Sequence, residues 1–205
     1  RGRDPKFGQH LRLADEYPGT FWNSTMEWRR KDPTVLGVEF WDIAVGRLVK
    51  EGDPATLEIQ SGRTEVKEGD FILPIDDYVH PDQLQPHAMN PVPEGIEVVA
   101  LTQARYGAGH YQIVAISAGR NQGVEPGHVF SAFRPGKRIQ DEVKYPTGSF
   151  ADQKTLNGDK VTLPAQYSAH ILVFRVFDEV SYALIMDGDR PVRERDMLKH
   201  PDETL

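Results

Sequence analysis

Short runs of β-branched and aromatic residues, each ended by a glycine, proline or aspartate turn signal, dominate the chain and favour a β architecture. Within Ala55–Gln60 apolar residues alternate with polar ones, which is the period-2 pattern of a half-buried strand. We therefore predict a mainly all-β fold of small modules, barrel- or sandwich-like, with few short helices. The strand-like runs are Val38–Val49, Thr56–Ile59, Ile96–Leu101, Tyr111–Ile116, Val129–Phe133, Ala169–Phe177 and Val180–Met186.

The segment Ala169–Met186 is the longest stretch without glycine or proline, so a buried helix has to be weighed against a hairpin. Its β-branched residues favour a pleated surface, and no polar stripe recurs at helical spacing. We predict a hairpin that turns at Asp178-Glu179. Short amphipathic helical turns are expected only at Gly8–Glu16 and Phe150–Leu156, neither of which has good capping residues.

Composition shifts along the chain predict its organisation. We expect an N-terminal extension at residues 1–25 and a first β module at 26–77. A proline-rich linker follows at 78–93 and a second β module at 94–205. The second module carries a long polar excursion at 134–164, which is interrupted by glycine turns.

One six-residue pattern recurs three times. Val66–Phe71 (VKEGDF), Val124–Val129 (VEPGHV) and Val192–Met197 (VRERDM) each follow a strand-like run. The pattern indicates a buried valine, a tight turn and a polar residue that leads into an apolar strand. Glycine at the fourth position permits the positive φ that such a turn needs, and Arg195 takes that position in the third copy. We interpret the pattern as repeated small β modules, with the frequency of Gly-Asp turns in any all-β protein as the alternative.

Charge and residue usage exclude several function classes. The chain has 24 basic and 31 acidic residues, a net charge of −7, and so lacks the basic footprint of a nucleic-acid binder. It has no cysteine, which excludes disulfides, zinc–thiolate sites, iron–sulfur clusters and thiol nucleophiles. No run is apolar enough for a membrane span. Because the chain opens at Arg1 without a leader pattern, we expect a fragment of a longer protein.

The sequence motifs give no catalytic residue, no metal site and no cofactor. Phosphate loops, nucleophile elbows and His-Glu-x-x-His helices are absent from the sequence. His80 and His87 lie near Asp76, Asp77 and Asp82, but their spacing matches no known metal site, so we expect loop histidines. We expect His110 and His128 to have structural or solvated roles. We expect the acidic pairs Asp76-Asp77 and Asp141-Glu142 to be solvated charges.

Exposed aromatic side chains are the remaining candidates for ligand binding. Trp22 and Trp28 lie in polar surroundings, whereas Trp41 fits a core strand. Aromatic faces stack on sugar rings, so Trp22, Trp28 and Tyr106 are the candidate residues of a glycan platform.

Several stretches together resemble the C-terminal region of bacterial LysM-domain-containing, peptidoglycan-binding-type proteins of Gram-negative proteobacteria. The resemblance covers roughly residues 26–201. It departs at residues 140–158, where the loop is longer, and at 1–25, where nothing matches. The stretches that carry it are Lys31–Glu39 (KDPTVLGVE), Gly52–Leu57 (GDPATL), Glu65–Pro74 (EVKEGDFILP), Tyr111–Ile116 with Gly119, Gly123–Phe130 (GVEPGHVF) and Val173–Leu184 (VFRVFDEVSYAL).

This resemblance implies an exported, periplasmic or cell-envelope protein that binds peptidoglycan through a LysM module outside this chain. No binding residue is transferred by it. The function we expect is a non-catalytic scaffold or interaction module, with another envelope protein as a further possible partner. Two alternatives stay open: a carbohydrate-binding module that uses the exposed aromatics, and a cell-wall hydrolase whose site is assembled from distant residues.

Overall fold

A computed structural model describes residues 18–29, 35–74, 78, 81, 83–102, 104–140 and 160–203. The prediction of an all-β chain is confirmed. The described residues form thirteen strands, and their only helical segment is a single 3-10 turn at Arg120–Gln122. The predicted helical turns at Gly8–Glu16 and Phe150–Leu156 lie outside the described residues. Residue contacts divide the chain into two units, the first comprising residues 1–28 and 37–79 and the second 29–36 and 80–205.

The first unit is built on a four-stranded sheet in the order β3-β2-β1-β4. β2 and β3 pair antiparallel with Leu48 opposite Leu57, and β1 and β4 pair with Phe21 opposite Ile72. The four strands are β1 (Pro18–Arg29), β2 (Val35–Lys50), β3 (Thr56–Gly62) and β4 (Phe71–Pro74).

The second unit holds a seven-stranded sheet in the order β13-β8-β11-β12-β7-β6, with β5 paired parallel to β8. The predicted hairpin is present as β11 and β12, which pair antiparallel. The strands are β5 (His87–Ala88), β6 (Val98–Leu101), β7 (Ile113–Ile116), β8 (His128–Arg134), β11 (Gln166–Val176), β12 (Ser181–Gly188) and β13 (Met197–Lys199).

The two ends of this sheet meet. Glu97 and Met197 form an isolated bridge, and the Leu198 amide donates to the Ile96 carbonyl at 2.9 Å. Two further backbone bonds join the same segments, from the Val98 amide to the Asp196 carbonyl at 2.9 Å and from the Arg195 amide to the Val98 carbonyl at 2.8 Å. The strand pairing itself is an isolated bridge, so the structure consists of multi-stranded sheets and not of a closed barrel. The curled sheet encloses a core of β-branched residues around Phe130, such as Val98, Val114, Ile116, Ile171, Val173 and Ile185.

The proline-rich segment and the polar excursion both contribute strands. β5 lies within residues 78–93, and the neighbouring Met89 is buried in the core. Two exposed strands, β9 (Arg138–Gln140) and β10 (Lys160–Thr162), pair antiparallel and bring the ends of the excursion together.

The three recurring segments form one and the same turn, which we call the repeated turn. Its fourth residue has a positive φ in every copy: 97° at Gly69, 101° at Gly127 and 70° at Arg195. The amide of the fifth residue donates to the carbonyl of the second at 3.1, 3.2 and 3.1 Å. The side chain of the fifth residue accepts a hydrogen bond from the amide of the second, and the acceptors are Asp70, His128 and Asp196. The pattern therefore encodes a backbone turn closed by a side-chain acceptor.

Candidate functional site

For two of the three aromatic candidates, Trp22 and Trp28, the structure describes the backbone and not the side chain. Trp22 and Trp28 lie in β1, but their side chains fall outside the described residues. Tyr106 is described and is 82% exposed, the highest value among the large hydrophobic side chains that the structure describes. It lies on the connection between β6 and β7, residues 104–112, which we call the tyrosine loop.

A second tyrosine on the same loop, Tyr111, is not among the candidates that the sequence indicates. Tyr111 is 72% exposed, and its backbone has a φ of 60°. A bulky residue in this left-handed region is an outlier and costs about 1–2 kcal/mol relative to the ordinary helical or extended conformation. Nothing in the residue type signals it, because glycine and asparagine are the residues that favour a positive φ.

The tyrosine loop is held at several points. The amide of Ala108 donates to the carbonyl of Val192 at 2.8 Å, and the Val192 amide returns the bond at 2.9 Å. The Tyr111 amide donates to the Ile185 carbonyl at 2.8 Å. Gln112 Oε1 accepts from the Gly109 amide at 2.8 Å, within the loop itself. The loop backbone is thus held at Ala108 and at Tyr111 by hydrogen bonds to other segments of the second unit.

His110 lies between the two tyrosines in sequence and is held by the end of β12. Its Nε2 lies 3.2 Å from the Gly188 carbonyl, so Nε2 carries the proton and Nδ1 keeps its lone pair. Its ring lies edge-on to that of Tyr111, with centroids 6.3 Å apart. The loop therefore presents two aromatic faces, two phenol hydroxyls and one imidazole acceptor.

A separate cluster joins His87, Glu125 and His128, whose potential ligand atoms lie within 4.8 Å of one another. Parallel pairing of β5 with β8 places His87 opposite His128, with ring centroids 4.6 Å apart. His87 Nδ1 contacts the Gln85 carbonyl at 2.8 Å, which leaves its Nε2 lone pair available. The neighbours predicted for His87, namely Asp76, Asp77, His80 and Asp82, lie outside the described residues.

His128 does not fit as the third ligand of a metal at this cluster. Its Nδ1 accepts the Glu125 amide at 3.0 Å, so in the neutral ring the proton is on Nε2. A metal on Nε2 would displace that proton and normally needs Nδ1–H, which would then face the Glu125 N–H. Burial and the neighbouring His87 lower the pKa of His128, which keeps the ring neutral and its Nδ1 able to accept. The structural role predicted for His128 is the one this geometry supports.

A third cluster lies on the β11–β12 hairpin. Tyr167 Oη and Asp187 Oδ1 contact His170 Nδ1 at 2.7 and 2.9 Å. Burial, helped by Asp187 and Asp189, raises the pKa of Tyr167 to about 12, which keeps the phenol protonated. Among the described residues no serine or threonine hydroxyl contacts His170, and its Nδ1 is shared by the Tyr167 hydroxyl and the Asp187 carboxylate.

The buried polar side chains of the described residues are all engaged in holding the fold. His128 and Asp196 close two of the repeated turns. Ser168 donates to Asp196 Oδ2 at 3.1 Å. Ser117 accepts from the Glu97 amide at 2.9 Å. Ser131 and Ser181 donate to the carbonyls of Pro201 and Ala118. The buried polar set is Ser117, His128, Ser131, Ser168, Ser181 and Asp196.

An open groove of about 1260 Å³ runs between the segment 90–97 and the C-terminal residues 195–203. Four of its charged side chains form two pairs, since Arg195 contacts Glu97 at 3.0 Å and Lys199 contacts Glu203. Prolines and aliphatic side chains form the rest of its wall, including Pro91, Val92, Pro93, Ile96 and Leu198.

Comparison with known proteins adds no assignment, because no family model matches the chain and no curated protein matches it significantly. Across the part of the chain that the structure describes, no helix is both long and apolar enough to traverse a bilayer.

Proposed function

We propose that this chain is a non-catalytic interaction module, the C-terminal part of a LysM-type peptidoglycan-binding protein of the Gram-negative cell envelope. The observation that carries the proposal is the use of buried polar groups. His128 and Asp196, the buried ionisable side chains among the described residues, each accept a backbone amide at a repeated turn. Catalytic groups are commonly held with an unused proton or lone pair in a cleft, whereas these are engaged in holding the backbone.

The cellular setting rests on the resemblance described for residues 26–201. In this proposal peptidoglycan is bound by a LysM module outside this chain, in the periplasm, and the β modules position that module or contact another envelope component. The abundance of short hydrogen-bonded turns supports a rigid scaffold, because each repeated turn is closed by both a backbone and a side-chain hydrogen bond.

A muropeptide-release assay tests the proposal against the hydrolase alternative. The chain is incubated with purified peptidoglycan sacculi, and soluble muropeptides are measured by chromatography, with a known muramidase as the positive control. We expect no release above the buffer level. Release that is lost in a His170→Ala variant would overturn the non-catalytic proposal and would assign the chemistry to the Tyr167–His170–Asp187 cluster.

A further inference from the structure

The strands β9 and β10 continue the pairing of β8 with β11 beyond the seven-stranded sheet. Arg134 of β8 lies opposite Gln166 of β11. Three residues beyond this pair on each strand, the Leu163 amide donates to the Lys137 carbonyl at 3.0 Å, so the register is unchanged. Among the described strands, β9 and β10 pair only with each other. They form a two-stranded extension, which we call the basic ribbon and which comprises residues 137–140 and 160–163.

The basic ribbon has one apolar face that the described strands leave accessible. Ile139 and Val161 lie directly opposite each other, and Leu163, two residues after Val161, lies on the same face. These side chains are 43%, 46% and 40% exposed, respectively. A two-stranded ribbon by itself is only marginally stable in water, and an apolar sheet face is normally covered by another layer. The face is therefore suited to contact with a partner.

The charge of the ribbon is opposite to that of the chain. Residues 137–140 and 160–163 contain three basic residues and no acidic one, whereas the whole chain has a net charge of −7. The three basic residues are exposed, and none of the ion pairs between described residues involves them. They are Lys137, Arg138 and Lys160. Positive charge is thus concentrated beside the apolar face, which favours an anionic partner.

We infer that the basic ribbon is a docking site for the surface of an anionic phospholipid membrane. Its three apolar side chains enter the boundary between headgroups and acyl chains, and its three basic side chains reach the headgroup phosphates. The unpaired outer edges of β9 and β10 limit the insertion to the headgroup region, because water remains available there to bond with the backbone. This site goes beyond the proposed function and does not rest on it.

The small size of the apolar face favours a lipid surface over a protein partner. Specific protein interfaces bury about 800 Å² on each partner around an apolar centre. The ribbon offers only three aliphatic side chains, each less than half exposed. A second copy of the chain would also bring like charges together if the two ribbons faced each other. A lipid surface needs no such area, because each apolar side chain partitions individually and anionic headgroups surround the basic residues.

Co-sedimentation with phospholipid vesicles tests the site. The chain is mixed with vesicles of phosphatidylglycerol and phosphatidylcholine in equal parts, or of phosphatidylcholine alone, and the protein in the vesicle pellet is quantified. We expect binding only to the vesicles that contain phosphatidylglycerol. Raising the salt concentration from about 0.1 M to about 1 M is expected to weaken this binding about tenfold or more, because salt screens exposed charges.

A charge variant and a matched control locate the contact. Arg138→Gln/Lys160→Gln is expected to weaken binding to the phosphatidylglycerol vesicles about tenfold. Arg47→Gln/Lys50→Gln removes the same charge from exposed positions of β2 and is expected to leave binding unchanged. No binding of the wild-type chain, equal binding to both vesicle compositions, or equal losses in the two variants would overturn the site.

An apolar variant tests the insertion. Ile139→Thr/Val161→Thr keeps β-branched residues in both strands, so it is expected to fold, as its melting temperature will show. It is expected to weaken vesicle binding about tenfold, because less apolar surface leaves water. Wild-type affinity in this variant would show that charge alone holds the chain at the surface, and would overturn the insertion. A wild-type dimer that dissociates in the apolar variant would place a second copy on the ribbon and overturn the lipid partner.

Discussion

The backbone amide of Glu125 donates a 3.0 Å hydrogen bond to Nδ1 of His128, where a carboxylate oxygen accepts in the two related turns. Histidine therefore replaces aspartate as the acceptor that closes a turn. The replacement makes the closure dependent on protonation, because an imidazolium has no lone pair with which to accept.

Replacing His128 with asparagine, which has the size and shape of aspartate and a side-chain oxygen that can accept a hydrogen bond, is expected to preserve the turn. His128→Asn retains a side-chain oxygen for the Glu125 amide, and its stability is expected to lie within about 1 kcal/mol of the wild type. His128→Ala removes the acceptor and the buried ring, and is expected to cost about 2–3 kcal/mol. Urea denaturation measures both variants, and equal losses would contradict the role of His128 as an acceptor.

Acidification is expected to destabilise the second unit through His128. Burial and His87 lower the pKa of His128 in the folded state, whereas the unfolded chain takes up that proton near the ordinary value of 6.5. The unfolded state therefore binds more protons below about pH 6.5, and the free energy of unfolding falls as the pH decreases through this range. Denaturation at pH 7.5 and 5 measures the effect. The fall should be smaller in His128→Asn, and an equal fall in both proteins would exclude His128 as its source.

The glycine of the second repeated turn is required by a close approach as well as by its φ. A Cβ at Gly127 would lie 2.6 Å from the Gln85 carbonyl oxygen, whereas a Cβ at Gly95, whose φ is 78°, meets nothing within 4 Å. Gly95→Ala is expected to cost about 1 kcal/mol of backbone strain, and Gly127→Ala about 3 kcal/mol, because the clash is added to the strain. Equal melting temperatures for the two variants would contradict this difference.

Asp196 holds two separate parts of the second unit. Its Oδ2 accepts from the Arg193 amide at 3.0 Å and from Ser168 Oγ at 3.1 Å. Asp196→Ala leaves both donors without this acceptor and is expected to cost about 2–4 kcal/mol. Asp202→Ala, at a side chain that is 88% exposed, is the matched control and should change stability by less than about 0.5 kcal/mol. A similar loss in both variants would show that burial of Asp196 does not determine its contribution.

Local sequence patterns predicted most of the strands and the shared turn. The β-branched residues of Ala169–Met186 favoured a hairpin over a helix, and β11 and β12 form that hairpin. Glycine at positions 69 and 127 indicated the positive φ, and Arg195 adopts the same conformation because its neighbours repeat the hydrogen bonds of the turn. These features depend on residues that are close in sequence, so local sequence patterns are sufficient to predict them.

The tyrosine loop and the histidine pair depend on contacts between distant residues. His87 lies opposite His128 because β5 pairs parallel with β8, and no local sequence pattern predicts this pairing. The amide of Tyr111, the residue with a φ of 60°, donates to the Ile185 carbonyl in another strand. Tyr106 was identified from its residue type alone, while its exposure and its neighbour Tyr111 required the structure.

Co-sedimentation with purified sacculi tests most directly the central claim, that this chain is an interaction module and that peptidoglycan is bound by a LysM module outside it. The chain is incubated with sacculi and centrifuged, and the protein in the pellet is quantified against a tube without sacculi. The account predicts that the chain stays in the supernatant to the same extent with and without sacculi. Pelleting of the chain with the sacculi would contradict it.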